Sequence, residues 1–156
     1  MANLKNIKVF YLFRRPVLEE IKKTKINLIP HDYFFGFTQI NTGIETIASD
    51  RAIKSKLIKL LDHLVIKIVI SYLKIGVSFF SVLSQISLMN KSDLIFATVD
   101  SFGIPLGFYS RLGLIKKPYV IYTVGLCDAM IESKSTIYRA ISRFTYRNAS
   151  KIISGL

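Results

Sequence analysis

The sequence contains a single cysteine, Cys127, which excludes an internal disulfide and suits a reducing compartment. Histidine is almost as scarce: His31 and His63 are the only two, and no Cys/His cluster has metal-ligand spacing. No GxxxxGK(S/T) loop is present, so a P-loop is excluded, and no GxGxxG follows a strand-like run. The nearest approach is the GxxxG of Gly103 and Gly107. A hydrolase triad is not visible, and Cys127 has no base beside it that would make it a nucleophile. The first thirty residues lack an uninterrupted apolar run, because Lys5, Lys8, Arg14, Arg15, Glu19, Glu20 and three further lysines break it. No signal-peptide core fits between those charges, so the expected location is the cytoplasm.

Acidic side chains are also few, 10 against 22 Lys and Arg, for a net charge of +12. The excess is spread, with 13 basic against 6 acidic residues over 1–75 and 9 against 4 over 76–156. Such a balance calls for an anionic partner: nucleic acid, anionic lipid or a phosphate-bearing substrate. Aromatic and basic residues are not interleaved and no recognition module is present, so nucleic acid is not the expected partner.

What the chain does have is apolar residue. Hydrophobic types make up 51% of its 156 residues, enough for one domain with a real core and too many for a disordered chain. Ile7–Phe13 is a β-branched and aromatic run that reads as a buried parallel strand, followed by a polar connection. Asp32 suits the N-cap of a helix over Tyr33–Asn41, with Gly43 as its stop. Ile44–Ala48 reads as a second strand and Leu94–Val99 as a third, introduced by Ser92-Asp93. Asp100-Ser101 stands where that strand hands over to a helix ending at Gly113, and either side chain can cap it. Tyr119–Val124, after the Lys116-Lys117-Pro118 turn, is a fourth strand. A helix over Thr136–Arg147 leads to a fifth strand, Lys151–Ser154. Alternating strands and helices predict an α/β fold with a parallel, Rossmann-like sheet flanked by helices.

Between Arg51 and Asn90 there is no proline and one glycine, Gly76, which predicts a long helix. At ~100° per residue, Lys56, Lys59, His63, Lys67 and Lys74 fall within about 80° of one another, and the rest of the circumference is mostly Ile, Leu, Val and Tyr. Three readings fit: a core-packing helix with solvated lysines, a helix lying in an anionic membrane interface, and a transmembrane span. Arg139, Arg143 and Arg147 form a second basic stripe, either a solvated face or a further contact with anionic lipid.

In an open parallel sheet, ligands sit beyond the carboxyl ends of the strands. Here those ends bring Arg14-Arg15-Pro16, Ser49-Asp50, Asp100-Ser101-Phe102 and Gly125-Leu126-Cys127-Asp128 to one edge. Arg14 and Arg15 can hold a phosphate in forked hydrogen bonds, and Asp100 can act as general base toward a sugar hydroxyl. For Asp100 the structural alternative is a helix cap, and for the arginines a solvated loop.

Three stretches, KVFYLFRRP, DLIFATVDSFGIPLGFYSRLGLIKKPYVIYTVGL and NASKIIS, together resemble the N-terminal domain of retaining glycosyltransferases with two Rossmann-like domains (the GT-B fold), family four in particular. The resemblance spans nearly the whole chain in patterns of hydrophobicity and turns. Two departures stand out: Arg14-Arg15-Pro16 replaces a frequent glycine pair, and Val124 precedes Gly125 where a histidine is frequent.

The resemblance implies that residues 1–156 form an acceptor-side domain, incomplete as a GT-B N-terminal domain, and that this chain holds no cofactor. The nucleotide-sugar donor would be bound by a second domain or a partner chain. The acceptor implied is a lipid-linked or polysaccharide sugar, met in the cytoplasm or peripherally on the inner face of the membrane. Taken with the strand-end geometry, this makes Asp100 the candidate catalytic residue and places Arg14, Arg15, Ser101, Phe102, Gly125 and Asp128 at the acceptor and phosphate edge. The membrane-facing residues would be Lys56, Lys59, Lys67, Lys74, Arg139, Arg143 and Arg147. A non-catalytic scaffold subunit of a split glycosyltransferase is the alternative. A nucleotide- or flavin-binding module of another kind fits less well, because no phosphate-cradling loop is present.

Overall fold

The computed structural model describes residues 7–13, 17–24, 37, 43–49, 56–73, 76–123, 136–147, 149 and 151–154. Five strands form one sheet: β1 (Ile7–Leu12), β2 (Ile44–Ala48), β3 (Leu94–Ala97), β4 (Tyr119–Thr123) and β5 (Lys151–Ser154). All four pairings are parallel, in the order β2-β1-β3-β4-β5. The helices are α1 (Val17–Thr24), α2 (Lys56–Leu73), α3 (Phe79–Leu83), α4 (Ile86–Met89), α5 (Asp100–Arg111) and α6 (Thr136–Tyr146). The expected α/β class with a parallel sheet is therefore present, and β2 and β5 keep their expected bounds. The first, third and fourth strands and the last helix end one or two residues early, within the usual fraying of element ends.

The pleat of β1 divides the core. Phe10 and Leu12 point to one face, where they join Val82, Met89, Ile95, Ala97, Phe102, Leu106 and Tyr119. Val9, Tyr11 and Phe13 point to the other, packed with Val17 of α1, Ala48, Phe37 and Phe96. Tyr11 stacks on Phe13 with ring centroids 5.5 Å apart, and Phe37 meets both edge-on. Alternate side chains of a strand reach opposite faces, so a continuous apolar run in β1 is what a sheet covered on both sides requires.

At the amino edge, Asp93 ties β3 to β1. Its carboxylate accepts the Lys8 N–H at 3.0 Å, while its own N–H donates to the Lys8 carbonyl at 2.8 Å. Asn90 anchors the approach to β4, donating to the Leu114 carbonyl at 2.8 Å and accepting the Lys116 N–H at 3.0 Å. Gly113 stops α5 as expected, with a left-handed φ of 71°.

Two expectations need correction. The polar connection after the first strand contains α1, whose Val17 and Ile21 lie one turn apart against the second core. Glu19 and Glu20 in its first turn suit the helix dipole. The helix expected over Tyr33–Asn41 falls outside the described residues, Phe37 excepted.

The second correction concerns Arg51–Asn90, which is not one helix. Among the described residues it is broken at Gly76–Ser78 and again between α3 and α4. Pro105 supplies part of the reason. Lacking an N–H, it leaves the Ser101 carbonyl of α5 without its intrahelical donor, and the Ser78 N–H takes that place at 3.0 Å. Val77, fully buried against Ile104, fills the same joint. Asp62 of α2 then accepts the Phe80 N–H at 3.2 Å, serving one of the free donors at the start of α3. The break also removes the continuous apolar length that a transmembrane reading needs. No helix among the described residues is long and apolar enough to cross a membrane.

Candidate functional site

The strand order reverses once. From β1 the chain steps outward to β2, then returns across β1 to β3 and continues to β4 and β5 on the other side. Helix α1, which follows β1, lies on the face of Val9 and Tyr11, while α5, which follows β3, lies on the face of Phe10 and Leu12. Neighbouring strands whose helices diverge to opposite faces leave a crevice at their carboxyl ends, the usual ligand position in doubly wound sheets. The β1/β3 pair is that point in this chain.

Small hydroxyl side chains close the ladder there. The Thr98 hydroxyl donates to the Leu12 carbonyl at 2.8 Å, beside the Thr98 N–H on the same oxygen at 3.2 Å. Ser49, just past β2, accepts the Phe13 N–H on its hydroxyl at 3.1 Å and donates its own N–H to the Tyr11 carbonyl at 2.8 Å. Both side chains are buried. They satisfy backbone groups that the short strands leave over and hold the ends of β1, β2 and β3 in fixed register.

Asp100 opens α5 at this edge. The N-cap is Val99, in extended conformation and without a side-chain cap bond. The expectation that Asp100 or Ser101 caps the helix is thus corrected: Asp100 lies inside the first turn, where its charge suits the dipole. It is 9% exposed, and the hydroxyl of Tyr146 on α6 donates to its Oδ1 at 3.1 Å. Ser101 is half-buried, with its carbonyl committed to Ser78. Phe102 turns into the core at 5% exposure and its N–H returns to the Val99 carbonyl at 3.2 Å.

Gly103, one residue on, sets how closely α5 approaches β4. A Cβ there would stand 2.9 Å from Ile121 Cγ2 and 3.1 Å from its Cδ1. The glycine that sequence alone offers as a weak motif is a packing requirement.

The fold thus brings Asp100 and Ser101 to the carboxyl edge together with Phe13, Ser49 and Thr98. Arg14, Arg15, Gly125 and Asp128 lie outside the described residues, as does Lys74, and for Lys59 only the backbone is described. Lys56 and Lys67 are exposed on α2, Arg139 and Arg143 on α6, and Arg147 in the turn just past its end. Thr136, Arg139, Ala140 and Arg143 line a cleft of about 300 Å3.

Tyr146 and Thr98 are site neighbours that sequence reasoning passed over. Tyr146 reaches Asp100 across 46 positions through the packing of α5 on α6, which no local pattern announces. Among the described residues no three His, Cys, Asp or Glu side chains gather as metal ligands.

No family model, curated protein or solved structure matches the chain. The functional reading therefore rests on the chain's own residues and their arrangement.

Tyrosine burial adds an electrostatic signature. Burial pushes the Tyr119 phenol up to about 12, partly offset by a hydrogen bond with Ser110 and by the Arg111 charge. Tyr11 is raised by burial, and Tyr109 by burial and by the nearby Asp62. These phenols are therefore neutral hydrogen-bonding groups at ordinary pH. Tyr109 donates to the Phe79 carbonyl at 3.1 Å in that form.

Proposed function

We propose that this chain is the acceptor-binding part of a glycosyltransferase, holding a hydroxylated sugar acceptor at the carboxyl edge of the sheet between β1 and β3. The observation that carries the reading is the reversal of strand order at that pair, with α1 and α5 on opposite faces. Asp100 at the start of α5 gives this edge a carboxylate, held by the Tyr146 hydroxyl. In the proposed role it accepts a hydrogen bond from the acceptor hydroxyl and, during transfer, its proton. The nucleotide-sugar donor is supplied by a second domain or a partner chain closing over the same edge.

Calorimetric titration with a panel of mono- and oligosaccharides tests this reading. Binding that falls at least about tenfold in Asp100→Asn supports it, the loss expected when a charged hydrogen-bond acceptor becomes neutral. The 156-residue chain by itself is expected to turn over no nucleotide-sugar. Turnover by the purified chain, or saccharide binding indifferent to Asp100, contradicts the assignment.

A second reading, a non-catalytic scaffold subunit of a split, membrane-associated glycosyltransferase, is favoured by one observation, the apolar side chains that α2 leaves exposed. Under it, the chain co-purifies with a second Rossmann-like protein whose transfer activity is unchanged by Asp100→Asn.

A further inference from the structure

Helix α2 is turned so that its single acid faces inward and Leu57, Leu60, Leu61 and Leu64 face outward. Asp62 is 8% exposed, bound to the Phe80 N–H, and Val69 packs beside Val77 and Ile104. On the other side Leu57 is 65% exposed, Leu60 56%, Leu61 40%, Leu64 47% and Ile68 58%. At ~100° per residue these five occupy a single arc of about 100°. Lys56, His63 and Lys67 border the arc along one side, all exposed. A large apolar ridge of this kind, left uncovered on a charged protein, marks an interaction surface.

We propose that α2 seats the protein on an anionic membrane, with the ridge entering the headgroup boundary and Lys56 and Lys67 meeting lipid phosphates. The inference goes beyond the acceptor reading and does not depend on it.

Charge decides the occupant. The outward side of α2 carries apolar and cationic groups and no acid, since Asp62, the helix's one carboxylate, is buried beneath it. The whole chain is at +12. A second copy of the chain would oppose its own basic border and its own excess charge, whereas an anionic bilayer complements both features. No helix among the described residues is long and apolar enough to cross, so α2 would lie along the surface, as amphipathic interfacial helices do.

Vesicle flotation of the full chain tests the proposal, with phosphatidylcholine alone and phosphatidylcholine mixed with phosphatidylglycerol. The chain is expected to float with the mixed vesicles and not with the neutral ones. Leu57→Ser combined with Leu64→Ser and Ile68→Ser should lower the partition coefficient by at least about tenfold. Each of Lys56→Gln and Lys67→Gln should lower it by about fivefold at low salt. The sequence has no tryptophan, so Leu64→Trp gives a clean reporter, with emission shifting to the blue on mixed vesicles. That single change also decides the matter should the triple variant melt early.

Three results overturn the proposal: no flotation with either vesicle, flotation of a folded triple variant equal to wild type, or a Leu64→Trp emission that stays water-like. Light scattering that shows a dimer abolished by the serine changes, without vesicle binding, would assign the ridge to a second copy of the chain.

Discussion

Asp62 carries two opposing effects that can be separated by pH. Burial raises its pKa above the ordinary 3.8, and the Phe80 N–H acts in the other direction, more weakly. A carboxyl raised on folding contributes stability that is fully present below 3.8 and is lost as pH rises through the folded-state value. Asp62→Asn keeps an oxygen to accept the Phe80 N–H and has no charge to desolvate. The melting temperature of Asp62→Asn should match wild type in acid and exceed it increasingly as pH rises toward neutrality. A difference that is constant with pH, or of opposite sign, would mean that the hydrogen bond outweighs burial. Asp100 is a different case. Its placement was legible in the sequence, because a carboxylate directly after a β-branched run marks a strand-to-helix handover. Its partner was not, since Tyr146 meets it only through tertiary packing.

Helix α5 shows how one segment sets the spacing of several elements. Gly103 lets it lie against Ile121 of β4, and Pro105 leaves the Ser101 carbonyl for Ser78. Tyr109 donates to Phe79, so α3 is also held to α5. Gly103→Ala must move either Ile121 or the helix. It should destabilise the chain by about 1–3 kcal/mol in denaturant unfolding, the usual cost of overpacking a filled core. No loss of stability would show that the Ile121 side chain yields freely.

The same elements explain where reading the sequence failed. Strands β2 and β5 stood out because each sets isoleucines in a short segment next to turn-forming positions, Gly43 before β2 and Asn148 before β5. Helix α1 was hidden in a charged stretch, where only Val17 and Ile21 mark its inner side. The break between α2 and α3 depends on a proline in another helix, information that composition between Arg51 and Asn90 does not contain.

For the molecule as a whole, the parallel α/β class was legible because alternation of element types is a long-range pattern that survives local errors. The strand order was not, since nothing in the sequence states on which side of β1 each later strand adds. That order gives the candidate site its position, at the pair where α1 and α5 lie on opposite faces. The outward turn of α2 was equally illegible. A wide apolar face suggests burial, and the structure instead buries Asp62 and exposes Leu57, Leu60, Leu64 and Ile68.

The most direct test of the central claim is amide chemical-shift mapping of the isotope-labelled chain during titration with the saccharide that binds it in calorimetry. The account predicts changes centred on Phe13, Ser49 and Thr98 through Phe102, the residues gathered at the β1/β3 edge. Changes centred instead on the Arg139 and Arg143 cleft, or on the amino edge near Asp93 and Lys116, would contradict it.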